Sequence, residues 1–273
     1  MHLARVPALL LAALMLTACS TNPSTGRRQL ILLPGPTVAA MGVEAMPQMM
    51  AEFGGPVESA PLRDYVSDIG FQLARHVEPE YGDIQWEFVT LDSEVVNAFA
   101  LPGGKVFITR GLLERFDNEA QVAGVLGHEI GHVTARHVDE RLSQALVAQL
   151  GLELLGAYSE SALITEGAGM ATQIGMLGFG RGQETESDLQ GLKYMTAAGY
   201  DPHGMYEVLQ VLLEASQGGA RQPEFLATHP HPETRLKAIA AQLEGPYAFT
   251  RDNPAYGRYP ERFRRGALPY LAP

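Results

Sequence analysis

The stretch NEAQVAGVLGHEIGHVTARH, residues 118–137, decides how the rest of the chain is interpreted. Asn118 supplies cap chemistry and no proline follows it in this stretch, which predicts a helix. His128 and His132 are four positions apart, so both imidazoles leave one helix face about 6 Å apart along the axis. Together with Glu129 they form H-E-x-x-H, a spacing that suits two zinc ligands and a general base. The stretch therefore predicts a zinc hydrolase.

Three glycines, Gly124, Gly127 and Gly131, lie inside the same predicted helix. A glycine in a helix interior costs about 1 kcal/mol relative to alanine. We therefore expect something to approach the backbone of this helix closely.

Composition sets the class of protein. The chain has 273 residues, of which 46% are hydrophobic and 19% charged, enough for a substantial core in one large or two small domains. The formal charge is −11 and no basic stripe is present, so nucleic acid is not an expected partner. The GFGRG run at 178–182 lacks the Lys-Ser/Thr of a phosphate loop, so no nucleotide is expected either.

The N-terminus predicts export. Residues 1–18 contain Arg5 and then an apolar run too short to span a bilayer comfortably, as in a signal peptide. Leu16-Thr17-Ala18 precede Cys19, the only cysteine, and resemble a bacterial lipobox, which implies cleavage before Cys19 and its lipidation. A plain secretory signal followed by a chance cysteine is the alternative. With Ser20 next, the pattern resembles lipoproteins anchored to the periplasmic face of the Gram-negative outer membrane.

The mature chain divides into three parts. Residues 19–36 are predicted as a tether, 37–243 as the main domain, and 244–273 as a Pro/Tyr/Arg-rich tail that is wrapping or partly ordered. Within the domain the patterns predict helices at 38–53 (with a possible break at Pro47), 61–76, 142–155, 183–198, 202–216 and 233–243, strands at 86–91, 96–101 and 105–109, a mobile flap at 156–182 and a loop at 224–232.

Periodicity selects a third metal ligand. Glu184 and Asp188 continue a stripe of small and apolar residues on the 183–198 helix, whereas Glu186 is rotated to a face that we expect to be solvated. Buried carboxylates are costly unless they are paired or bound to metal. Glu184 is therefore predicted as a zinc ligand, and Asp188 as the acceptor that orients a liganding histidine. Favourable acids at a helix N-terminus are the alternative explanation.

The other histidines are weighed separately. His137, five positions after His132, projects to another helix face and is predicted at the surface, as is His203. His229, in the THPHP loop, is either a loop or cap residue or a side chain that approaches the metal or the reacting carbonyl.

Four motifs together resemble one family. HEIGH at 128–132, ETESD at 184–188, AGYDP at 198–202 and THPHPETR at 228–235 are similar to the membrane-associated zinc metalloproteases that include HtpX, BepA and the CAAX prenyl proteases. NAFALPGG at 97–104 and NPSTGRRQL after Cys19 resemble the bacterial periplasmic lipoproteins of that family. The resemblance extends over roughly residues 19–243.

The resemblance implies an α+β, mainly helical, gluzincin (zincin-like) domain with a small antiparallel sheet. It implies one zinc ion per chain and an edge strand on which a polypeptide substrate binds in extended form. It also implies a resting form in which His229 is a fourth ligand. The residues concerned are His128, His132 and Glu184 on zinc, Glu129 as general base, and Asn97, Ala98, Phe99 and Ala100 in the edge strand.

Two departures shape the expected function. BepA-like members carry a long tetratricopeptide region, and other members span the membrane several times; neither pattern follows here, so a compact, lipid-tethered member is expected. The predicted activity is zinc-dependent endopeptidase action on misfolded or misassembled envelope proteins, with the envelope assembly machinery as a candidate partner. The alternatives are a latent, metal-bound, chaperone-like quality-control protein and, less well supported, a non-peptide zinc hydrolase. The oxyanion partner stays open among His229, Arg235 and the flap.

Overall fold

The computed structural model describes residues 19–154, 178–218 and 223–271. Five strands lie in the described ranges: β1 (Cys19–Thr21), β2 (Arg28–Leu30), β3 (Glu87–Leu91), β4 (Ala98–Leu101) and β5 (Lys105–Thr109). The α-helices described are α1 (Gly35–Glu52), α2 (Ala60–Ala74), α3 (Arg110–Leu113), α4 (Glu119–Thr134), α5 (His137–Leu154), α6 (Arg181–Ala197), α7 (His203–Gly218), α8 (Glu224–Thr228), α9 (Pro232–Glu244) and α10 (Pro260–Gly266). The mainly helical α+β class is confirmed.

Helix α4 is the centre of the molecule. Asn118 accepts a hydrogen bond from the Gln121 backbone N–H, and the Gln121 side chain accepts one from the Asn118 N–H, so a capping box fixes the first turn. All of its residues except Val133 are buried. A helix surrounded on every side needs close neighbours, which matches the glycine content of its sequence.

The closest neighbour of α4 is α6. A Cβ atom placed on Gly127 would lie 3.2 Å from the Gly191 Cα, and one placed on Gly131 would lie 2.9 Å from the Ser187 carbonyl oxygen. The expected close approach is confirmed at both positions. Because the two backbones nearly touch, short side chains of α6 reach the histidines of α4.

The three-stranded sheet has the order β3-β5-β4 and is mixed. Strand β4 pairs with β5 antiparallel through a turn in which Gly103 and Gly104 both take positive φ values, +79° and +82°. Strand β3 pairs with the other side of β5 in parallel. The predicted antiparallel sheet is therefore wrong for one strand pair, because β5 inserts between the two strands that precede it. Strand β4 lies at an edge, as predicted.

Two apolar cores enclose this framework. Helix α2 directs Leu62, Val66 and Leu73 into the larger core around α4. Helix α1 covers the other face of the sheet, where Phe53 packs on Phe99 with ring centroids 5.3 Å apart.

Helix α1 runs through Pro47 without the predicted break. The proline removes one hydrogen bond to the carbonyl of Val43, but Val43 is exposed, so water can replace the missing donor.

Residues 19–36 are not a free tether. Strands β1 and β2 pair antiparallel and dock against the end of α4. There the Asn22 amide donates to the Thr134 carbonyl at 2.9 Å, and the Gln29 amide donates to the Ala135 carbonyl at 2.6 Å. The last carbonyls of a buried helix need donors, and this hairpin supplies them. Cys19, the predicted site of lipid attachment, is thus the first residue of β1.

Of the two alternatives for the C-terminal segment, wrapping is confirmed: it packs on the domain through α10 and buries Phe263, Ala267 and Leu271 in the larger core. The predicted loop at 224–232 is corrected, because it contains α8. The predicted flap covers 156–182, and its residues 156–177 lie outside the described part of the chain. In the described ranges, no helix combines the length and apolarity that crossing a membrane requires.

Candidate metal centre

Four buried side chains from three parts of the chain converge beside α4. His128 and His132 come from α4, Glu184 from the first turn of α6, and His229 from the residue that follows α8. Their ligand atoms all lie within 4.8 Å of one another. Nε2 of His128 is 3.0 Å from Nε2 of His132 and 3.3 Å from Nδ1 of His229. Oε1 of Glu184 is 3.1 Å from Nδ1 of His229 and 3.4 Å from Nε2 of His132.

This spacing fits a single metal ion. Tetrahedral ligands at zinc bond lengths of about 2.0–2.1 Å are separated from one another by about 3.3 Å. The four separations above, 3.0 to 3.4 Å, scatter around that value. All four side chains are at most 2% exposed. Burying four nitrogen and carboxylate lone pairs that point at one another is costly unless a cation lies between them. The donor set therefore suits a metal site.

Asp188 and Arg235 hold two members of the cluster in place. Oδ1 of Asp188 is 3.0 Å from Nδ1 of His128, so the carboxylate accepts the proton of that nitrogen and leaves Nε2 free to face the cluster. Buried Arg235 donates to both Asp188 oxygens, at 2.8 and 2.6 Å, and forms an ion pair with Oε2 of Glu184 at 2.6 Å. Burial alone would raise the pKa of each carboxyl, but the Arg235 charge together with the neighbouring histidines outweighs it, and the pKa of Glu184 and of Asp188 is lowered.

The surface position predicted for His137 and the solvated face predicted for Glu186 are both wrong. Helix α4 ends at Thr134, and Arg136 takes a left-handed conformation (φ 55°), so helical projection does not extend to His137. The chain turns back and buries His137 with its Nδ1 2.9 Å from Nδ1 of His132. Its Nε2 is 3.0 Å from Oε2 of Glu186. The signal that could have located His137 is the helix end itself, which the sequence does not mark with a glycine.

Glu129 is fully buried beside the cluster. Neither of its carboxylate oxygens has a hydrogen-bond partner among the described residues, and Oε1 is 3.6 Å from Nε2 of His229. Burial raises the pKa of this carboxyl, which makes it a better proton acceptor than an exposed glutamate. A carboxylate in this setting lacks a structural use and is suited to accept a proton from a reactant.

Two phenylalanines close the cluster from the protein surface. The Phe179 ring lies over His132 with centroids 3.9 Å apart, and the Phe225 ring stacks on His229 at 4.3 Å. The Phe179 N–H donates to the Thr228 carbonyl, and the Phe225 N–H donates to the Val96 carbonyl beside the sheet edge. The segment that carries His229 is thus fastened on both sides. His203, by contrast, is 43% exposed and outside the site, as predicted.

The edge strand β4 borders the same region. The Asn97 carbonyl accepts from the Thr109 N–H, which makes residues 97 and 109 a hydrogen-bonded pair. Because such pairs alternate along antiparallel strands, the N–H and C=O groups of Ala98 and Ala100 point away from β5; Ala98 is buried and Ala100 is partly exposed. A cavity of about 690 Å³ is lined by Ala100 and Leu101 on one side and by His132 on another.

Comparison with known proteins agrees with this arrangement. The model of peptidase family M48 matches residues 62–243, more than half of the chain. The chain belongs to peptidase family M48. Its HEIGH motif, the α6 carboxylates and the THPHP segment all lie inside the matched range.

Relatives of the chain include a bacterial protease and two mitochondrial metalloendopeptidases. The chain is 35% identical over 184 residues to the beta-barrel assembly-enhancing protease of Escherichia coli K12, covering 64% of this chain and 37% of that one. It is 36% identical over 157 residues to the mitochondrial metalloendopeptidase OMA1 of Arabidopsis thaliana, covering 58% and 31%. It is 31% identical over 214 residues to OMA1 of Schizosaccharomyces pombe, covering 74% and 60%. The chain thus spans between about a third and three fifths of these relatives.

Proposed function

We propose that this chain is a zinc-dependent endopeptidase of the bacterial cell envelope that cleaves misfolded or misassembled proteins. The observation that carries the proposal is the convergence of His128, His132 and Glu184 beside the unpartnered carboxylate of Glu129. Zinc is the metal that this nitrogen-rich, tetrahedrally spaced donor set suits best. The lipobox-like sequence that ends at Cys19 supports an anchor at the periplasmic face of the outer membrane, and similarity to a bacterial beta-barrel assembly-enhancing protease supports a role in the envelope.

In the proposed reaction, three residues hold the metal and a fourth, Glu129, transfers the proton. A zinc ion held by His128, His132 and Glu184 would supply Lewis acidity toward water and toward the scissile carbonyl. Glu129 accepts a proton from the attacking water and delivers it to the leaving amine. Arg235 is committed to Glu184 and Asp188, which argues against it as the oxyanion partner.

The substrate is proposed to be an extended polypeptide. The outward N–H and C=O groups of partly exposed Ala100 can pair with a peptide added to the sheet at β4, next to Asn97 and Phe99; those of Ala98 are buried and become available only after the site opens. Backbone pairing is indifferent to sequence, which suits an enzyme that acts on unfolded chains. The adjoining cavity at Ala100, Leu101 and His132 provides room for substrate side chains.

A latent resting state accompanies this proposal. His229 occupies the position that a reacting water or carbonyl would need, and the cluster is closed by Phe179 and Phe225. We infer that the segment carrying His229 must move before substrate can enter. The same observation favours a second candidate function, a latent chaperone-like quality-control protein that keeps its site shut.

The two functions separate in one experiment. Zinc-loaded protein is incubated with casein, an unstructured polypeptide, with and without a chelator. We expect chelator-sensitive cleavage, none for Glu129→Gln although it still binds zinc, and faster cleavage for His229→Ala. Turnover by Glu129→Gln, or cleavage indifferent to the chelator, would contradict the endopeptidase assignment. Suppression of aggregation without cleavage, even by His229→Ala, would favour the chaperone-like function.

A further inference from the structure

The two histidines of α4 differ in what supports them. His128 has its own carboxylate, Asp188, directly on Nδ1. Among the residues that the structure describes, no carboxylate contacts Nδ1 of His132; instead Nδ1 of His137 lies there at 2.9 Å. His137 in turn reaches Glu186 through Nε2 at 3.0 Å. A carboxylate therefore stands behind each histidine, directly in one case and through a second imidazole in the other.

His132, His137 and Glu186 form a row of hydrogen-bonded side chains, and the proton positions along it follow from the direction in which His132 faces. Its Nε2 points at the cluster, where a metal ligand must carry a lone pair, so the ring proton belongs on Nδ1. That proton is donated to Nδ1 of His137, which places the His137 proton on Nε2. Nε2 then donates to Oε2 of Glu186. Every donor meets an acceptor, and the row ends on a carboxylate.

Arg27 anchors the far end of the row. Its Nε donates to both oxygens of Glu186, at 2.7 and 3.0 Å, and its two terminal nitrogens donate to Glu140 at 2.8 and 2.7 Å. Arg27 lies between β1 and β2, in the hairpin that also donates to the carbonyls at the end of α4. The hairpin therefore fixes both the backbone end of α4 and the carboxylate behind His132.

We propose that His137 is a positioning residue for the metal ligand His132 and that Arg27, acting through Glu186 and His137, makes the N-terminal hairpin part of the metal site. This inference rests on the proposed metal-binding function. Indirect partners of this kind set the orientation and basicity of a liganding imidazole. The hairpin begins at Cys19, so the element that carries the predicted membrane anchor is also the one that supports the site.

Zinc affinity tests the proposal without relying on turnover. Full-length protein, first freed of metal, competes with a chromogenic chelator for zinc at pH 7.5. We expect His137→Ala to weaken zinc binding by about 10- to 100-fold, and Arg27→Ala to weaken it less. His137→Gln keeps a side chain that can hydrogen bond, and we expect it to recover part of the loss. Thermal unfolding of each metal-free variant verifies that it folds.

A double-mutant cycle separates a relay from a general loss of structure. If Arg27 acts through His137, Arg27→Ala should weaken zinc binding much less in a protein that already carries His137→Ala. Arg258→Ala is the matched control: this half-exposed arginine also holds two carboxylates, Asp201 and Glu207, away from the site. We expect it to leave zinc affinity unchanged.

The outcomes are distinct. His137→Ala and His137→Gln that fold and bind zinc within twofold of the unaltered chain would overturn the role of His137. The role of Arg27 would be overturned if the losses of zinc affinity from Arg27→Ala and His137→Ala simply add in the double mutant. It would also be overturned if Arg258→Ala weakened zinc binding as much as Arg27→Ala. If the unaltered chain itself binds no zinc, the metal-site assignment fails instead.

Discussion

Replacing Arg235 with methionine should destabilise the metal-free protein strongly. Arg235 is 3% exposed, donates twice to Asp188 and forms an ion pair with Glu184. Removing one partner from a buried ion pair costs about 3–5 kcal/mol, because the remaining charges stay desolvated. In a domain of this size, each kcal/mol lowers the midpoint of thermal unfolding by about 2–4 °C. The expected decrease is therefore about 6–20 °C.

Circular dichroism during heating, in the presence of a chelator, measures this change. Arg235→Lys keeps the charge but not the bidentate hydrogen bonding, so its decrease in the unfolding midpoint should be intermediate. Arg258→Met removes an arginine that also contacts two carboxylates but is 44% exposed, and should cost no more than about 1 kcal/mol. Equal decreases for Arg235→Met and Arg258→Met would refute the view that a buried charge network organises the site.

Three further predictions concern packing, pH and the edge strand. Gly131→Ala, whose Cβ would lie 2.9 Å from the Ser187 oxygen, should cost about 1–3 kcal/mol in urea unfolding, whereas Gly182→Ala, with no atom within 4 Å, should cost nothing. Hydrogen bonds from Arg27 lower the pKa of Glu140, so the ion pair between them stabilises the fold above about pH 4.5. That stabilisation is lost as the pH falls through the lowered pKa of Glu140. Arg27→Ala should therefore destabilise the protein at pH 7 and progressively less in acid. Ala100→Pro removes one outward N–H and should lower kcat/KM on casein by about 2- to 10-fold while zinc affinity is kept.

Local sequence information was sufficient for much of the site. H-E-x-x-H lies within one helix, where spacing alone determines which side chains share a face. The stripe that contains Glu184 and Asp188 belongs to a single helix as well, and its apolar continuation indicates the buried side. The structure brings both of these carboxylates against the α4 histidines.

What local patterns missed depends on contacts between distant segments. His137 follows the left-handed turn at Arg136, so its direction is set by the helix end and not by its distance from His132. Glu186 was expected in solvent because nothing in α6 itself covers that face; the N-terminal hairpin does, through Arg27. The parallel pairing of β3 with β5 likewise depends on which strand inserts between two others.

The central claim is that His128, His132 and Glu184 hold one zinc ion beside Glu129. The most direct test is an anomalous difference map at the zinc absorption edge from crystals of the full chain grown with zinc. The account predicts a single strong peak about 2.0–2.2 Å from Nε2 of both histidines and from a Glu184 oxygen. A map with no peak among these three side chains, from crystals in which they keep their present positions, would contradict it.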